Sequence, residues 1–474
     1  MGNLQCNSDK IKITFDMLEQ FFKGNNSEFE TRINFDYFSI KNLNNINNCK
    51  VSKEFKNISN YIPIEKKKEN FIKWIKLIGQ SSFEEIKKSQ NIEYEIESKL
   101  SKLYRDKNKK FIQYFLNGPP ESIRPIIWII VSNKIPLERD DKYYKDLLNN
   151  KIENNILEQI DKDINRTFYE NEGTKEKKNI LYNLLYCLPS LDEDIGYCQG
   201  LNFITSFILK ITFFNELDCF YLLTYILEKI RGYYIQNFPL LKVNIYIFNH
   251  FFIKLYPKLY VHFKNLEIPN EIWVGKWFQT LFTINLPYNE LCRIWDCFFI
   301  FGLDFIIPIS LSLIYYMEKD LLKFEDSTEI VYYFKECLNT NNFEIIHKDI
   351  EKRIITIDKI ISKAKQIFKL MNKNYINDIK KEFAKENNMN LEILEKIYDL
   401  DLISDSNFNS SLTDFSSIKK NILFDTDIKK KSVIVPQLEY FSFSESFDID
   451  EENDINNNRE KIPNHIFEIR FKHD

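Results

Sequence analysis

A chain of 474 residues, 44% hydrophobic and 15% aromatic, can bury a large core, which excludes wholesale disorder, and is long enough for two or three domains. A formal net charge of -4 provides no face-wide basic excess, so nucleic acid is not an expected partner. The eight cysteines (6, 49, 187, 198, 219, 292, 297 and 337) contain no Cys-x-x-Cys pair and the histidines are scattered, which argues against a disulfide framework or a structural zinc site and for reduced thiols in a cytoplasmic protein.

The start, Met1-Gly2-Asn3-Leu4-Gln5-Cys6, is polar, unlike a secretory signal. Gly2 is the residue N-myristoylation requires, with Cys6 where Ser or Thr is usual. Acylation of both would give stable peripheral attachment to an endomembrane, where one chain gives only marginal binding. Up to residue 67, short apolar clusters alternate with Asn-Lys-Ser stretches without sustained period, and this segment is expected to be largely flexible. The abundance of Ile, Asn, Lys and Phe against only two alanines, Ala364 and Ala384, marks biased composition, so Asn- and Lys-rich patches do not by themselves signal a motif.

Helical patterning begins near residue 68. Ile72, Trp74, Ile75, Leu77 and Ile78 form a stripe, and Tyr94 to Leu103 repeats apolar residues at helical spacing. Gly118-Pro119-Pro120-Glu121 is a turn, and Pro125 soon after it predicts a buried helix over about 122–134. Polar residues 137–150 follow, with no helix assigned to them. Ile152, Ile156, Ile160, Ile164 and Phe168 then step by four, the mark of an amphipathic helix. A charged loop is expected between Glu170 and Lys178, followed by an apolar helix from Ile180 to Leu188 that Pro189 closes. Leu201–Phe214 and Cys219–Ile230 are too apolar for surface helices. Because alternating patterns and hairpin dipeptides are scarce, an all-α body is favoured over α/β.

Cys297 to Met317 approaches a membrane span in length and apolarity, but Asp304 would be costly in mid-bilayer, and a turn at Gly302 to Asp304 would split the run into two buried helices. Ile350 to Met371 carries another stripe, and Ile376 to Leu400 predicts a further helix. From Ser404 the chain is Ser-, Asp- and Asn-rich, with an acidic run near Asp448 to Asp454. The expected organisation is a flexible segment over 1–67, a helical body over 68–340 with its motif-bearing core at 118–317, a helical extension over 341–403 and a flexible acidic tail over 404–474.

Two stretches carry chemistry. Asp163 and Arg166 are three apart and share a helix face, which alone describes an ordinary ion pair of little energetic value. Gln199 sits on a turn flanked by Gly196 and Gly200, where the backbone can turn sharply and approach a partner closely. Gly196-x-Cys198-x-Gly200 also has the form of a cysteine nucleophile elbow, with His250 or His262 as a base, but an elbow needs a preceding strand and residues 180–188 read as helix. As a membrane packing motif, Gly196-x-x-x-Gly200 is interrupted by Gln199, Asn202 and Lys210. No Walker-type phosphate loop occurs in the sequence, so intrinsic NTPase activity is not expected.

Taken together, Ile160-x-x-Asp163-x-x-Arg166-Thr167 and Tyr197-x-Gln199-Gly200 resemble the two signature motifs of TBC-domain Rab GTPase-activating proteins. Three further stretches agree in order: Gly118-Pro119-Pro120 with Arg124 and Trp128; Trp277 to Phe282 with Leu286-Pro287; and Arg293-Ile294-Trp295-Asp296 closing at Gly302. The resemblance covers roughly Gly118 to Met317 and implies a TBC-type all-α fold. It also implies that Arg166 is an arginine finger and Gln199 a glutamine finger acting in trans on a GTP-bound Rab-type GTPase in vesicle trafficking. Asp163, Arg124, Tyr197 and Thr167 would support the fingers, with Arg124 and Tyr197 packing or pairing beneath them. Trp128, Gly200, Trp277, Trp295 and Asp296 would be structural. GTP and Mg²⁺ would come with the partner, so no cofactor or metal of the chain's own is expected. The alternative is a TBC-fold scaffold that binds a GTPase, or another trafficking protein, without activating it.

Overall fold

The computed structural model describes residues 92–121, 123–132, 141–167, 175–339 and 355–387, preceded by 70, 73, 74 and 76–78. All of them fall in the first of two compact units, Met1–Ser416. The expectations for residues 1–67, including Gly2 and Cys6, and for 388–474 lie outside the described residues, as does Phe168.

Every regular element among the described residues is helical. Trp74 is fully buried, edge-on to Phe111 at 5.5 Å and Tyr114 at 5.9 Å. Both rings lie on α2 (Lys109–Leu116), which follows α1 (Ile92–Arg105) and is capped by Asn108, whose side chain accepts from the Lys110 and Phe111 amides. The Gly118 turn leads into α3 (Arg124–Ser132), a helix buried on nearly every side within the 122–134 expected, of which residues 122, 133 and 134 lie outside the described residues. A short helix, α4 (Lys142–Leu148), then forms inside the polar stretch where sequence patterning assigned none. Only Tyr144 and Leu147 are buried on it, too few to set a period.

The four-residue step becomes α5 (Asn154–Thr167), which turns Ile160, Asp163 and Ile164 inward. The next helix, α6 (Lys175–Tyr186), starts inside the segment read as a charged loop: its first turn is Lys175 to Lys178, with Lys175 and Glu176 exposed. The stripe of Ile180, Leu181, Leu184 and Leu185 anchors the helix, and one more turn needs only a solvated surface. Pro189 does not simply close this helix; it occupies the first turn of the one-turn helix α7 (Leu188–Leu191), where a missing amide hydrogen costs nothing. Beyond the Gly200 turn come α8 (Leu201–Ile211) and α9 (Glu216–Ile230), then a 3-10 turn, Arg231–Tyr233. The body continues with α10 (Pro239–Leu255), α11 (Pro257–Asn265), α12 (Glu271–Gln279) and α13 (Tyr288–Phe301).

The long apolar run breaks where its glycine and aspartate stand. Gly302 has φ +84°, Leu303–Phe305 form a 3-10 turn, and α14 (Ile306–Leu321) follows. No described helix is long and apolar enough to cross a membrane. After α15 (Ser327–Asn339), the helical extension expected over 341–403 is described for residues 355–387, where α16 (Ile357–Leu370) and α17 (Lys373–Glu386) pack on the body. Ser312 on α14 donates to the Ile360 carbonyl of α16 at 2.7 Å, and Phe368 packs edge-on to Phe305 at 5.3 Å. Tyr246 on α10 donates to Glu386 of α17 at 3.0 Å and packs on Phe383. Residue 340 is therefore not a packing boundary.

Candidate functional site

The C-terminal turn of α5 is where the sequence places its arginine. The isoleucine stripe pins one face of the helix, so Asp163 points inward and is buried while Arg166, three residues on, has 43% of its side chain exposed. Arg166 Nη1 lies 3.9 Å from Asp163 Oδ1, an electrostatic pair too long for a hydrogen bond. The other carboxylate oxygen accepts from the Tyr197 hydroxyl at 2.8 Å, so Tyr197 secures the aspartate that faces the arginine. Burial, the Asp163 charge and their hydrogen bond push the Tyr197 phenol up, keeping it a proton donor. The Thr167 hydroxyl donates to the Asp163 backbone carbonyl at 2.6 Å and closes the helix end.

Burial raises the Asp163 carboxyl above its ordinary value, outweighing the opposing effects of Tyr197 and Arg166. The folded state therefore binds this proton more tightly than the unfolded chain, and the contribution of Asp163 to stability falls as pH rises from the ordinary aspartate value of 3.8 through the raised one. Asp163→Asn keeps an acceptor for Tyr197 and removes the ionisation. In urea titrations its midpoint relative to the parent should shift in the variant's favour between pH 4 and pH 7. A constant difference across that range would contradict the assignment.

Gln199 is exposed at the end of the loop that joins α7 to α8. Gly200 has φ +108° and starts α8. An added Cβ would stand 3.5 Å from Thr280 Cγ2, an ordinary contact, so it is the dihedral and not the space that demands glycine. The loop is clamped at its other end. Asp192 Oδ1 accepts the backbone amides of Asp194 and Ile195, forming an Asx-type turn. Arg231, in the 3-10 turn after α9, forks onto both Asp192 oxygens at 2.7 and 3.2 Å and also pairs with Asp194. A helical turn precedes the loop, so the strand a nucleophile elbow requires is absent, and burial pushes the Cys198 thiol up, away from a reactive thiolate. His250 is engaged with Tyr375 of α17.

The two stretches meet through Asn202, a residue sequence patterning noted only as an interruption in an apolar run. It is 1% exposed. Its Nδ2 donates to Thr167 Oγ1 at 2.8 Å and its Oδ1 accepts from the Gly200 amide at 3.0 Å. The available signal was one amide in a helix otherwise apolar enough to be core, where a buried polar group must find partners.

Arg124, Trp128 and Arg293 gather in a second cluster around Asp296, which is fully buried on α13. Its Oδ1 accepts from Arg124 Nε at 3.1 Å and Trp128 Nε1 at 2.9 Å, and its Oδ2 from Arg293 Nη1 at 3.0 Å. Arg293 also donates to the Leu116 carbonyl at 3.0 Å and crosses beside Gly118, where a Cβ would lie 2.9 Å from the guanidinium arm. Burial alone would lower the Arg124 pKa, but the Asp296 charge prevails and holds it above its ordinary value. Arg124 is thus paired with Asp296, not with Asp163 or either finger. Trp295 stacks on Trp128 at 5.8 Å and donates to the Leu281 carbonyl at 3.2 Å, while Trp277 is buried with Trp273 and Phe282. No group of three or more His, Cys, Asp or Glu among the described residues is placed to hold a metal ion.

Residues 121–322 match the family model of the Rab-GTPase-TBC domain. Over 254 residues the chain is 26% identical to growth hormone-regulated TBC protein 1-A of Danio rerio, a match covering 52% of this chain and 71% of that protein. It is 30% identical over 230 residues to the GTPase-activating protein GYP5 of Eremothecium gossypii, covering 46% of this chain but only 27% of that protein. The crystal structure of the Ypt/Rab-GAP domain of Gyp1p aligns at 20% identity with a TM-score of 0.48, covering 63% of this chain and 99% of that one. The segment matched by the family model contains α5, the Gln199 loop and the Asp296 cluster, and that segment, residues 121–322, is a TBC domain of the Rab GTPase-activating protein family.

Proposed function

We propose that this chain accelerates GTP hydrolysis by a Rab-type small GTPase, completing the partner's active site with Arg166 and Gln199 and so shortening the GTP-bound state in vesicle trafficking. The observation that carries this reading is the pairing of two exposed side chains of complementary chemistry on elements tied together by one buried amide. Phosphoryl transfer spreads negative charge over the transferred group and leaving oxygen, which a guanidinium inserted in trans can neutralise. The attacking water needs orienting, and a carboxamide both donates and accepts without a shifted pKa. The GTPase brings GTP and Mg²⁺.

Single-turnover hydrolysis measured across a panel of GTP-loaded Rab proteins tests the proposal. At least one should be stimulated by about 10³-fold or more over its intrinsic rate, and Gln199→Ala should abolish most of that gain. Binding to a GTP-loaded Rab without stimulation of any would overturn the activator reading in favour of a scaffold.

A further inference from the structure

We propose that Asn202 is a positioning residue that sets the arginine and glutamine fingers relative to each other. The inference rests on the function proposed above and adds a residue and a mechanism to it.

The hydrogen bonds form one directed chain. The Gly200 amide can only donate, so the Asn202 atom it meets must be the carbonyl oxygen, which turns the amide nitrogen toward Thr167. Thr167 Oγ1 accepts there, leaving its single proton for the Asp163 carbonyl, which can only accept. The chemistry at both ends fixes every orientation between them. Each finger sits one residue from a link: Thr167 follows Arg166, and Gly200 follows Gln199. Asp163, at the far end, is also the carboxylate facing the Arg166 guanidinium.

Burial gives the chain its stiffness. With Asn202 1% exposed, water does not readily replace a broken link, and an orphaned amide or hydroxyl bears its full desolvation cost. Apolar packing of α5 on α8 would hold the helices together but allow small slides, since dispersion contacts have no directional preference. One directional bond across the helices, from Asn202 to Thr167, held at each end by a bond within its own element, restrains that freedom. The benefit falls on the reaction and not on encounter, because a misplacement of about 1 Å in a reacting group can cost on the order of 100-fold in rate.

The test uses the full chain and a responsive GTP-loaded Rab in single-turnover assays, reading the maximal stimulated rate and the half-saturating concentration separately, with thermal unfolding alongside. Thr167→Val cuts the link to α5 while leaving Asn202 on Gly200, and Asn202→Ala cuts both. Each should lower the maximal rate by roughly 10- to 100-fold with half-saturation moved less than about threefold. Thr167→Ser, which keeps the hydroxyl, should restore most of the rate. In a Gln199→Ala background the Thr167→Val effect should shrink, because there is no second finger left to align. If Asn202→Ala fails to fold, the two Thr167 variants decide alone, since that side chain is only half-buried. Loss of stimulation in Arg166→Ala and Gln199→Ala, together with a full maximal rate in a folded Thr167→Val, would overturn the positioning role while leaving the function intact. Stimulation that survives both finger variants would overturn the two-finger mechanism and with it the alignment role of Asn202, and binding without stimulation by the parent chain would overturn the function itself.

Discussion

Arg166→Ala is expected to reduce stimulated GTP hydrolysis by about 10³-fold or more, equivalent to roughly 4 kcal/mol of transition-state stabilisation, while leaving the affinity for a GTP-loaded Rab within a fewfold. The size follows from where the side chain stands. Its 3.9 Å pairing with Asp163 leaves the guanidinium 43% exposed, so removing it costs the fold little. The charge it would meet exists only as the phosphoryl group transfers, so its loss should appear in the maximal rate and not in binding. Arg166→Lys should recover only part of the rate, because an ammonium offers a point charge without the planar fork. Single-turnover rates at saturating protein measure both variants, and unimpaired stimulation by Arg166→Ala would remove the arginine from the mechanism.

Asp296→Ala should have the largest effect on stability, a loss of about 3–5 kcal/mol. Three donors converge on that carboxylate, two of them guanidiniums, and Asp296 is fully buried. Without it, Arg124 loses its buried counter-charge, Arg293 keeps the exposed Asp358 at 3.6 Å as its counter-charge, and the Trp128 indole hydrogen is left without an acceptor. The loss is a large part of a typical domain stability of about 5–15 kcal/mol. It should appear as a fall in the unfolding midpoint on the order of 10 °C. Asp296→Asn keeps an acceptor but not the charge and should fall between. An Asp296→Ala midpoint within about 1 °C of the parent would show that the cluster contributes little to stability.

Local signals in the sequence were sufficient for the elements that bear Arg166 and Gln199. The four-residue isoleucine step encodes α5 and its inward face, and the positive-φ requirement at Gly200 encodes the turn before α8. The glycine and aspartate in the long apolar run likewise sufficed to divide it at Leu303–Phe305. What patterning missed depends on partners distant in the chain. Arg124 finds its carboxylate 172 residues away, Arg231 clamps a loop 39 residues earlier, and Tyr144 holds the short α4 by bonding Glu216. Asn202 looks like a flaw in an apolar helix until Thr167 is seen opposite. Pro189 illustrates a different limit, since the residue that ends one helix also suits the first turn of the next.

The packing of α16 and α17 bears on how this chain can be divided. The segment matched by the family model stops at 322, yet Ile360, Ile361, Ala364 and Ile367 are buried, and α14 and α10 are the surfaces that receive these helices. A fragment trimmed to the recognisable motifs would leave apolar side chains on α14 facing water, and contiguous patches of that kind promote self-association. A piece that keeps these surfaces covered reaches at least from Asn70, whose side chain bonds the Gly118 carbonyl, to Glu386, and the elements that carry Arg166 and Gln199 belong to that larger unit.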